Sequence, residues 1–153
     1  MTELRHAELQ DVPAILALVD KAYGKWVPLI GRKPRPMTVD YALAVAEHDI
    51  LLMHVDGVLA GLIETIRGED FVVENLAVAP VFQKQGIGSI LLAHAERDAA
   101  ALGYDSAWLY TNQRFTENIT YYRRRGYQIV SEEVLADGVL INLQKYLSGA
   151  STG

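Results

Sequence analysis

The chain has 153 residues, of which 50% are hydrophobic and 22% are charged, a composition that predicts a single globular domain over residues 1–147. A net charge of −5 argues against a protein that binds nucleic acid by electrostatic attraction. The absence of cysteine excludes disulfides, thiolate zinc sites and a cysteinyl acyl intermediate. No stretch is apolar enough to span a membrane, and the first residues lack a signal-peptide pattern, so we expect a cytoplasmic protein.

The first half of the chain predicts two helices and three consecutive antiparallel strands after an initial strand. Asp11 is a candidate N-cap for a helix to Tyr23, and Thr38 for a second helix through about His48. Residues 24–37 contain three prolines and two glycines and should be irregular, either walling a ligand pocket or lying on the core. Strands are predicted over residues 2–7, 50–55, 58–66 and 71–78, with Asp56-Gly57 as a hairpin turn.

The second half predicts one long helix, a short helix and three more strands. The long helix runs from about Ile90 to Leu102 and connects strand 71–78 to strand 106–110, which should therefore be parallel neighbours. Segments 126–134 and 139–146 form a last strand pair joined by Asp137-Gly138. Residues 148–153 are expected to form a mobile tail.

Two glycines, Gly86 and Gly88, lie where strand 71–78 gives way to the long helix. A helix N-terminus offers unpaired backbone N–H groups and partial positive charge, and glycine lets an anion approach closely. This combination predicts a phosphate cradle. The stretch lacks the P-loop pattern, and Leu91 stands where a dinucleotide-binding fingerprint needs a third glycine, so a nucleotide-binding domain is a weaker alternative.

The residues around these glycines carry a more specific pattern. Val78-x-Pro80 followed by Gln83-x-x-Gly86-x-Gly88 resembles the coenzyme A signature of the GCN5-related N-acetyltransferases, the GNAT superfamily.

Residues 116–127 resemble a second, later motif of the same superfamily. In that motif Asn118 opens a short helix, Tyr122 follows one turn later, and Gly126-Tyr127 ends the helix and starts a strand. Asn118 and Tyr122 are four residues apart and so share one helix face. The two motifs occur in the expected order, and the resemblance covers nearly the whole chain.

The resemblance implies an α+β, three-layer fold with a mixed, mostly antiparallel sheet of about seven strands and about four helices. Strands 71–78 and 106–110 should splay apart and admit the pantetheine arm of acetyl-CoA, the implied cosubstrate. The implied activity is transfer of the acetyl group to a primary amine by direct attack. The implied cofactor-binding residues are Leu76, Ala77, Val78, Gln83, Lys84, Gln85, Gly86, Ile87, Gly88, Ser89, Asn118 and Tyr122.

The resemblance also assigns catalytic residues. Tyr122 matches the superfamily's general acid, and a phenol with a pKa near ~10 is a dependable proton donor at neutral pH. Glu74 is the first candidate for the general base, with Glu64, His54 or water as alternatives. Strand alternation puts Glu74 and Leu76 on one face unless a bulge intervenes.

Other properties stay open at this point. The acceptor is a small-molecule amine or a peptide, and residues 24–37, Tyr110, Asn112 and Arg114 are candidate specificity positions. No partnership with nucleic acid, membrane or metal is expected, and family habit leaves a homodimer open. A rival interpretation is a non-catalytic module of the same fold that binds acetyl-CoA as a sensor. Of Arg123-Arg124-Arg125, at most one would reach a phosphate of coenzyme A, and Lys84 has the better claim.

Overall fold

The computed structural model describes residues 1–147, so the predicted tail 148–153 lies outside the described residues. The strands are β1 (Thr2–His6), β2 (Asp49–Val55), β3 (Val58–Arg67), β4 (Phe71–Val78), β5 (Ser106–Asn112), β6 (Gln128–Leu135) and β7 (Gly138–Tyr146). The helices are α1 (Val12–Tyr23), α2 (Val27–Ile30), α3 (Tyr41–Glu47), α4 (Ile87–Ala101) and α5 (Thr116–Arg124). Short 3₁₀ turns cover Leu9–Asp11, Gly24–Trp26, Arg35–Thr38 and Pro80–Phe82.

All seven strands form one sheet in the order β1-β2-β3-β4-β5-β7-β6. The β4–β5 pair is parallel, and the other five pairs are antiparallel. This arrangement confirms the predicted α+β fold with a mixed, mostly antiparallel sheet of seven strands. Among the described residues, no helix is long and apolar enough to cross a membrane.

The sheet lies between two helical layers because its central strands are apolar on both faces. On β2, Leu52 packs with α1 and α3, whereas the next residue, Met53, packs with α4. On β3, Leu62 and Ile63 divide in the same way. Burying one apolar side chain of this size contributes about 1.5–3 kcal/mol, so the two cores fix which face each strand residue occupies.

Asp11 precedes α1 as predicted, but its carboxylate does not cap the helix. It accepts two hydrogen bonds from the Arg5 guanidinium, at 2.7 and 2.8 Å, and one from the backbone N–H of Glu8 at 2.7 Å. The hydrogen bonds from Arg5 are the main reason that the pKa of Asp11 is lowered to about 2. The carboxylate therefore ties β1 to the start of α1.

The two shorter predicted helices also begin differently. Asp40, not Thr38, caps α3, and its side chain accepts a hydrogen bond from the N–H of Leu43 at 3.2 Å. The hydroxyl of Thr38 donates instead to a carbonyl within its own turn. α5 begins at Thr116, so Asn118 lies inside its first turn and does not open the helix.

Gly88 lets α5 pack closely against the first turn of α4. A Cβ atom at this position would lie 2.8 Å from the hydroxyl oxygen of Tyr121 on α5. That hydroxyl is 3.2 Å from Oγ of Ser89, and the guanidinium of Arg125 lies 3.5 Å above the Tyr121 ring. The absence of a side chain at Gly88 therefore allows this contact between the two helices.

We predict that Gly88→Ala lowers the free energy of unfolding in wild type and not in a Tyr121→Phe background. The added methyl overpacks the Tyr121 hydroxyl at a cost of about 1–3 kcal/mol, while alanine gains up to about 1 kcal/mol over glycine in a helix. Urea denaturation of the four proteins of the double-mutant cycle measures the coupling. An equal effect of Gly88→Ala in both backgrounds would contradict this account of the contact.

Candidate active site

β4 and β5 pair over only part of their lengths, and a gap opens between them. Hydrogen-bonded pairing joins residues 71–73 to residues 107–109, yet β4 continues to Val78 and β5 to Asn112. The start of the gap coincides with a β-bulge in β4. Glu64 of β3 pairs with Asn75 and the next residue pairs with Val73, so Glu74 is the extra residue.

The bulge also reverses which way the later residues of β4 face. Val73 packs into the core on the α4 side, whereas Ala77 packs into the core on the α1 side. Without a bulge these two residues would share a face. Leu76 and Val78 consequently face α4, beside the gap. A bulge that strand alternation alone could not reveal is thus present. Because Glu74 is its extra residue, the rule that residues two apart share a face does not apply to Glu74 and Leu76.

The backbone of β4 presents free N–H groups to the gap. The carbonyls of Leu76 and Val78 accept side-chain hydrogen bonds from Tyr23 at 3.1 Å and Gln83 at 3.3 Å. They are therefore turned away from β3. In an antiparallel pair the N–H and carbonyl of one residue share an edge, so the N–H groups of Leu76 and Val78 also face β5.

A cavity of about 510 Å³ occupies the gap and extends toward the 24–37 segment. It brings together four of the site residues predicted from sequence, namely Glu74, Leu76, Asn118 and Tyr122. It also brings in Glu64, Tyr110, Asn112 and residues Arg32–Pro36, but not His54 or Arg114. The 24–37 segment lines the cavity through residues 32–36 and also lies on the core. Its Trp26 is buried and stacks on Phe115 with ring centroids 4.4 Å apart.

Tyr122 lies at the inner wall of this cavity, on the same face of α5 as Asn118. It is 9% exposed, and its ring makes edge contacts with Tyr121 and Tyr127. Its hydroxyl has no hydrogen-bond partner among residues 1–147. Burial raises the pKa of Tyr122 above its ordinary value, and the neighbouring Tyr121 adds to this. The phenol is therefore protonated at neutral pH.

Two carboxylates of different character line the cavity. Glu74, in the bulge, accepts a hydrogen bond from the hydroxyl of Tyr110 on β5. Glu64 is 1% exposed; its Oε2 lies 2.7 Å from Nδ1 of His48, while its Oε1 is buried without a partner among the described residues. Burial raises the pKa of Glu64, and the contact with His48 opposes that shift.

Sequence reasoning missed a polar network beneath the gap. The Tyr23 hydroxyl shares its single proton between the Leu76 carbonyl and Oδ1 of Asn75, which is the nearer acceptor at 2.7 Å. The amide nitrogen of Asn75 donates to the Tyr41 hydroxyl at 3.0 Å. Tyr41 donates in turn to the carbonyl of Pro36 at 2.5 Å. Burial raises the pKa values of both tyrosines. An asparagine amid the apolar run of β4 was the one available signal, and only the bulge assigns it to this face.

The residues predicted to form a phosphate cradle form a turn followed by the start of α4. Gly86 is the N-cap of α4 with φ +82°, and a Cβ atom there would meet no atom within 4 Å. Lys84 is exposed and has a left-handed backbone with φ +64°. The side chains of Ile87 and Ala77 point into the two cores, so only their backbones are available to a ligand.

Of the three consecutive arginines, Arg125 reaches the cradle. Its guanidinium donates to Oγ of Ser89 at 2.7 and 3.0 Å and to the carbonyl of Tyr121 at 3.0 Å. A positive charge therefore stands beside the first turn of α4. Within the described part of the chain, no group of His, Asp and Glu side chains could hold a metal ion.

Comparisons with known proteins agree with this architecture. The family model for the acetyltransferase (GNAT) domain matches residues 40–129, which is more than half of the chain. Among solved structures, the ribosomal-protein-S18-alanine N-acetyltransferase from Escherichia coli is 20% identical with a TM-score of 0.78, over 100% of this chain and 98% of that one. No curated protein matches the chain significantly.

Two similar structures contain coenzyme A or acetyl-CoA. The PaiA N-acetyltransferase from Thermoplasma acidophilum, in complex with coenzyme A, is 15% identical with a TM-score of 0.77, over 95% of this chain and 99% of that one. A GNAT-family acetyltransferase from Elizabethkingia anophelis with acetyl-CoA bound is 17% identical with a TM-score of 0.72, over 95% and 98%. At these identities the likeness concerns the fold. The splayed sheet and the family match together show that this chain belongs to the GNAT acetyltransferase family.

Proposed function

We propose that this protein is an N-acetyltransferase that moves the acetyl group of acetyl-CoA to the primary amine of a small molecule or peptide. The observation that carries this proposal is the gap between β4 and β5, with Tyr122 at its inner wall and the cradle of α4 beside it. Acetyl-CoA supplies an activated thioester to such a site.

The residues around the gap fit the parts of such a cosubstrate. The free N–H groups of Leu76 and Val78 match the amides of an extended pantetheine arm, which would lie beside β4 like an added strand. Asn118 would hydrogen-bond the same arm from α5. The backbone N–H groups from Gln83 to Ser89 would hold the pyrophosphate, with Lys84 and Arg125 adding positive charge.

The reaction requires three things from the chain. The acceptor enters as an ammonium ion and must lose a proton before its nitrogen can attack the thioester carbonyl. Negative charge that grows on the carbonyl oxygen needs a donor, for which the N–H of Val78 is our candidate. The C–S bond then breaks, and Tyr122 protonates the departing sulfur. The second proton that the nitrogen loses on becoming an amide restores the Tyr122 hydroxyl. The products are the N-acetylated amine, coenzyme A and one proton released to solvent.

We assign the general base to Glu74, with Glu64 as the alternative. Glu74 lies in the bulge where the gap opens, and the hydrogen bond from Tyr110 orients its carboxylate toward the cavity. His54 has no place in the cavity lining and is a weaker candidate. A proton taken from the acceptor at Glu74 can reach solvent through an ordered water.

Gly86→Asp should abolish binding of coenzyme A, whereas Gly86→Asn should weaken it only modestly. Both residues have the same shape and both tolerate the left-handed backbone of Gly86, so they differ chiefly by a negative charge placed where the pyrophosphate would lie. We expect the Kd measured by calorimetry to rise by about 100-fold or more for Asp, which is ~2.7 kcal/mol.

Two results would contradict the cradle assignment. If Asp and Asn weaken binding equally, the backbone and not the anion site is responsible. If neither variant weakens binding, coenzyme A binds elsewhere.

Tyr122→Phe should lower kcat by about 100-fold or more, the contribution expected of a general acid, with little change in the Kd for acetyl-CoA. Tyr127→Phe is the control, because it removes another buried hydroxyl, which contacts Glu96 outside the cavity. Because the pKa of Tyr122 is raised, its deprotonation should not limit kcat of wild type below pH ~10. An unchanged kcat in Tyr122→Phe would remove Tyr122 from the chemistry, and binding without turnover of any amine would favour the non-catalytic module.

A further inference from the structure

The cavity carries charges of both signs, contributed by different elements of its wall. Glu64 and Glu74 line it on the strand side, and Lys33 and Arg35 line it on the side of the 24–37 segment. Neither Lys33 nor Arg35 forms an ion pair with a carboxylate among the described residues. The two walls therefore do not neutralise each other directly.

The strand wall has an unsatisfied acceptor. Oε1 of Glu64 is buried without a hydrogen-bond partner among residues 1–147, although its other oxygen contacts His48. An unpaired polar group of this kind costs about 1–3 kcal/mol, and more when it is charged. Oε1 itself is closed off from solvent, but Glu64 lines the cavity together with Glu74, so the two carboxyl groups make this wall acidic. An ammonium group is the best matched partner for such a wall, since hydrogen bonds between two ions are the strongest.

The loop wall holds its cation in a defined place. The guanidinium of Arg35 lies 5.5 Å from the centre of the Tyr110 ring, and the hydroxyl of that ring donates to Glu74. Tyr110 thus contacts the cation through its ring and the carboxylate through its hydroxyl, so both charges border the same part of the cavity. A compact ligand beside Tyr110 can meet Glu74 with one end and Arg35 with the other. Guanidinium pairs well with a carboxylate, which it can bind through two parallel hydrogen bonds.

The cavity is also bridged at its mouth. Nε of Arg32 lies 3.1 Å from Oδ2 of Asp137 in the β6–β7 turn, so the 24–37 segment and this hairpin meet across the opening. Both residues line the cavity. While it is formed, this exposed ion pair narrows the opening, which favours a compact ligand over a polypeptide chain.

We propose that the acceptor is a small molecule that carries both an amine and a carboxylate, as an α-amino acid does. Its ammonium group faces Glu64 and Glu74, and its carboxylate faces Arg35 and Lys33. This inference rests on the proposed function, because it assigns the acceptor of the same acetyl transfer. It goes further by selecting the zwitterion over a simple amine and over the N-terminus of a peptide.

The test is a panel of amino acids, each compared with its decarboxylated amine and with a short peptide that begins with the same residue. Release of coenzyme A is followed with a thiol reagent, to which the cysteine-free protein gives no background. At least one amino acid should have a kcat/KM about tenfold or more above its amine and its peptide. Arg35→Ala should lower that kcat/KM about tenfold more than it lowers the value for the amine, because a tenfold loss is the ~1.4 kcal/mol expected of one charged contact.

Arg97→Ala, which removes an exposed arginine of α4 outside the cavity, is the control and should preserve the selectivity. Arg35→Glu should reverse it and favour the amine. A wild type that acetylates amines or peptides as well as amino acids overturns the inference and leaves the proposed function standing, as does binding of acetyl-CoA without turnover of any amino acid. Failure to bind acetyl-CoA by calorimetry overturns the proposed function itself.

Discussion

The loss of pairing between β4 and β5 is the constraint on which the rest of the site depends. One extra residue, Glu74, shifts the register of β4 against β3, and the parallel pairing with β5 ends immediately before it. Without the extra residue, Leu76 and Val78 would face the α1 layer. With it, they face α4 and their N–H groups line the gap. A single insertion in one strand thus creates a cavity, an edge of free hydrogen-bond donors and a position for a carboxylate.

The sheet tolerates this interruption because side chains donate hydrogen bonds to the carbonyls that have no strand partner. Tyr23 and Gln83 satisfy the carbonyls of Leu76 and Val78. The network through Asn75 and Tyr41 ties β4 to α1, α3 and the turn that contains Pro36. The 24–37 segment, which consists mostly of short helical turns, is thereby held over the gap and forms one wall of the cavity. The polar network therefore positions that wall and satisfies buried groups at once.

The sequence predicted the parts of the fold that depend on local pattern. Strand β4 was predicted with its observed ends, the two Asp-Gly turns join hairpins, and the parallel β4–β5 pair follows from the intervening helix. The helix starts were less accurate, because Asp11 is engaged by Arg5 and Asp40 caps α3 in place of Thr38. Such choices depend on neighbours distant in the chain, which local propensity does not contain.

The candidate site divides in the same way. The cradle glycines and the pair Asn118 and Tyr122 were accessible from spacing, since one helix face and one helix start determine them. The bulge at Glu74, the partnership of Glu64 with His48 and the placement of Arg35 over Tyr110 were not. Each of these depends on strand register or on the path of the 24–37 segment, which was predicted to be irregular but forms short helical turns. Neither is encoded in a local periodicity.

The measurement that tests the central claim most directly is hydrogen exchange of the backbone amides with and without coenzyme A. If the gap receives the pantetheine arm, the amides of Leu76 and Val78 gain a partner, and exchange should slow over residues 74–78 and at the start of α4, over residues 86–90. Exchange on the outer strands β1 and β6 should not change. Protection that falls elsewhere, with residues 74–78 unaffected by bound coenzyme A, would show that the gap is not the binding site and would contradict the account.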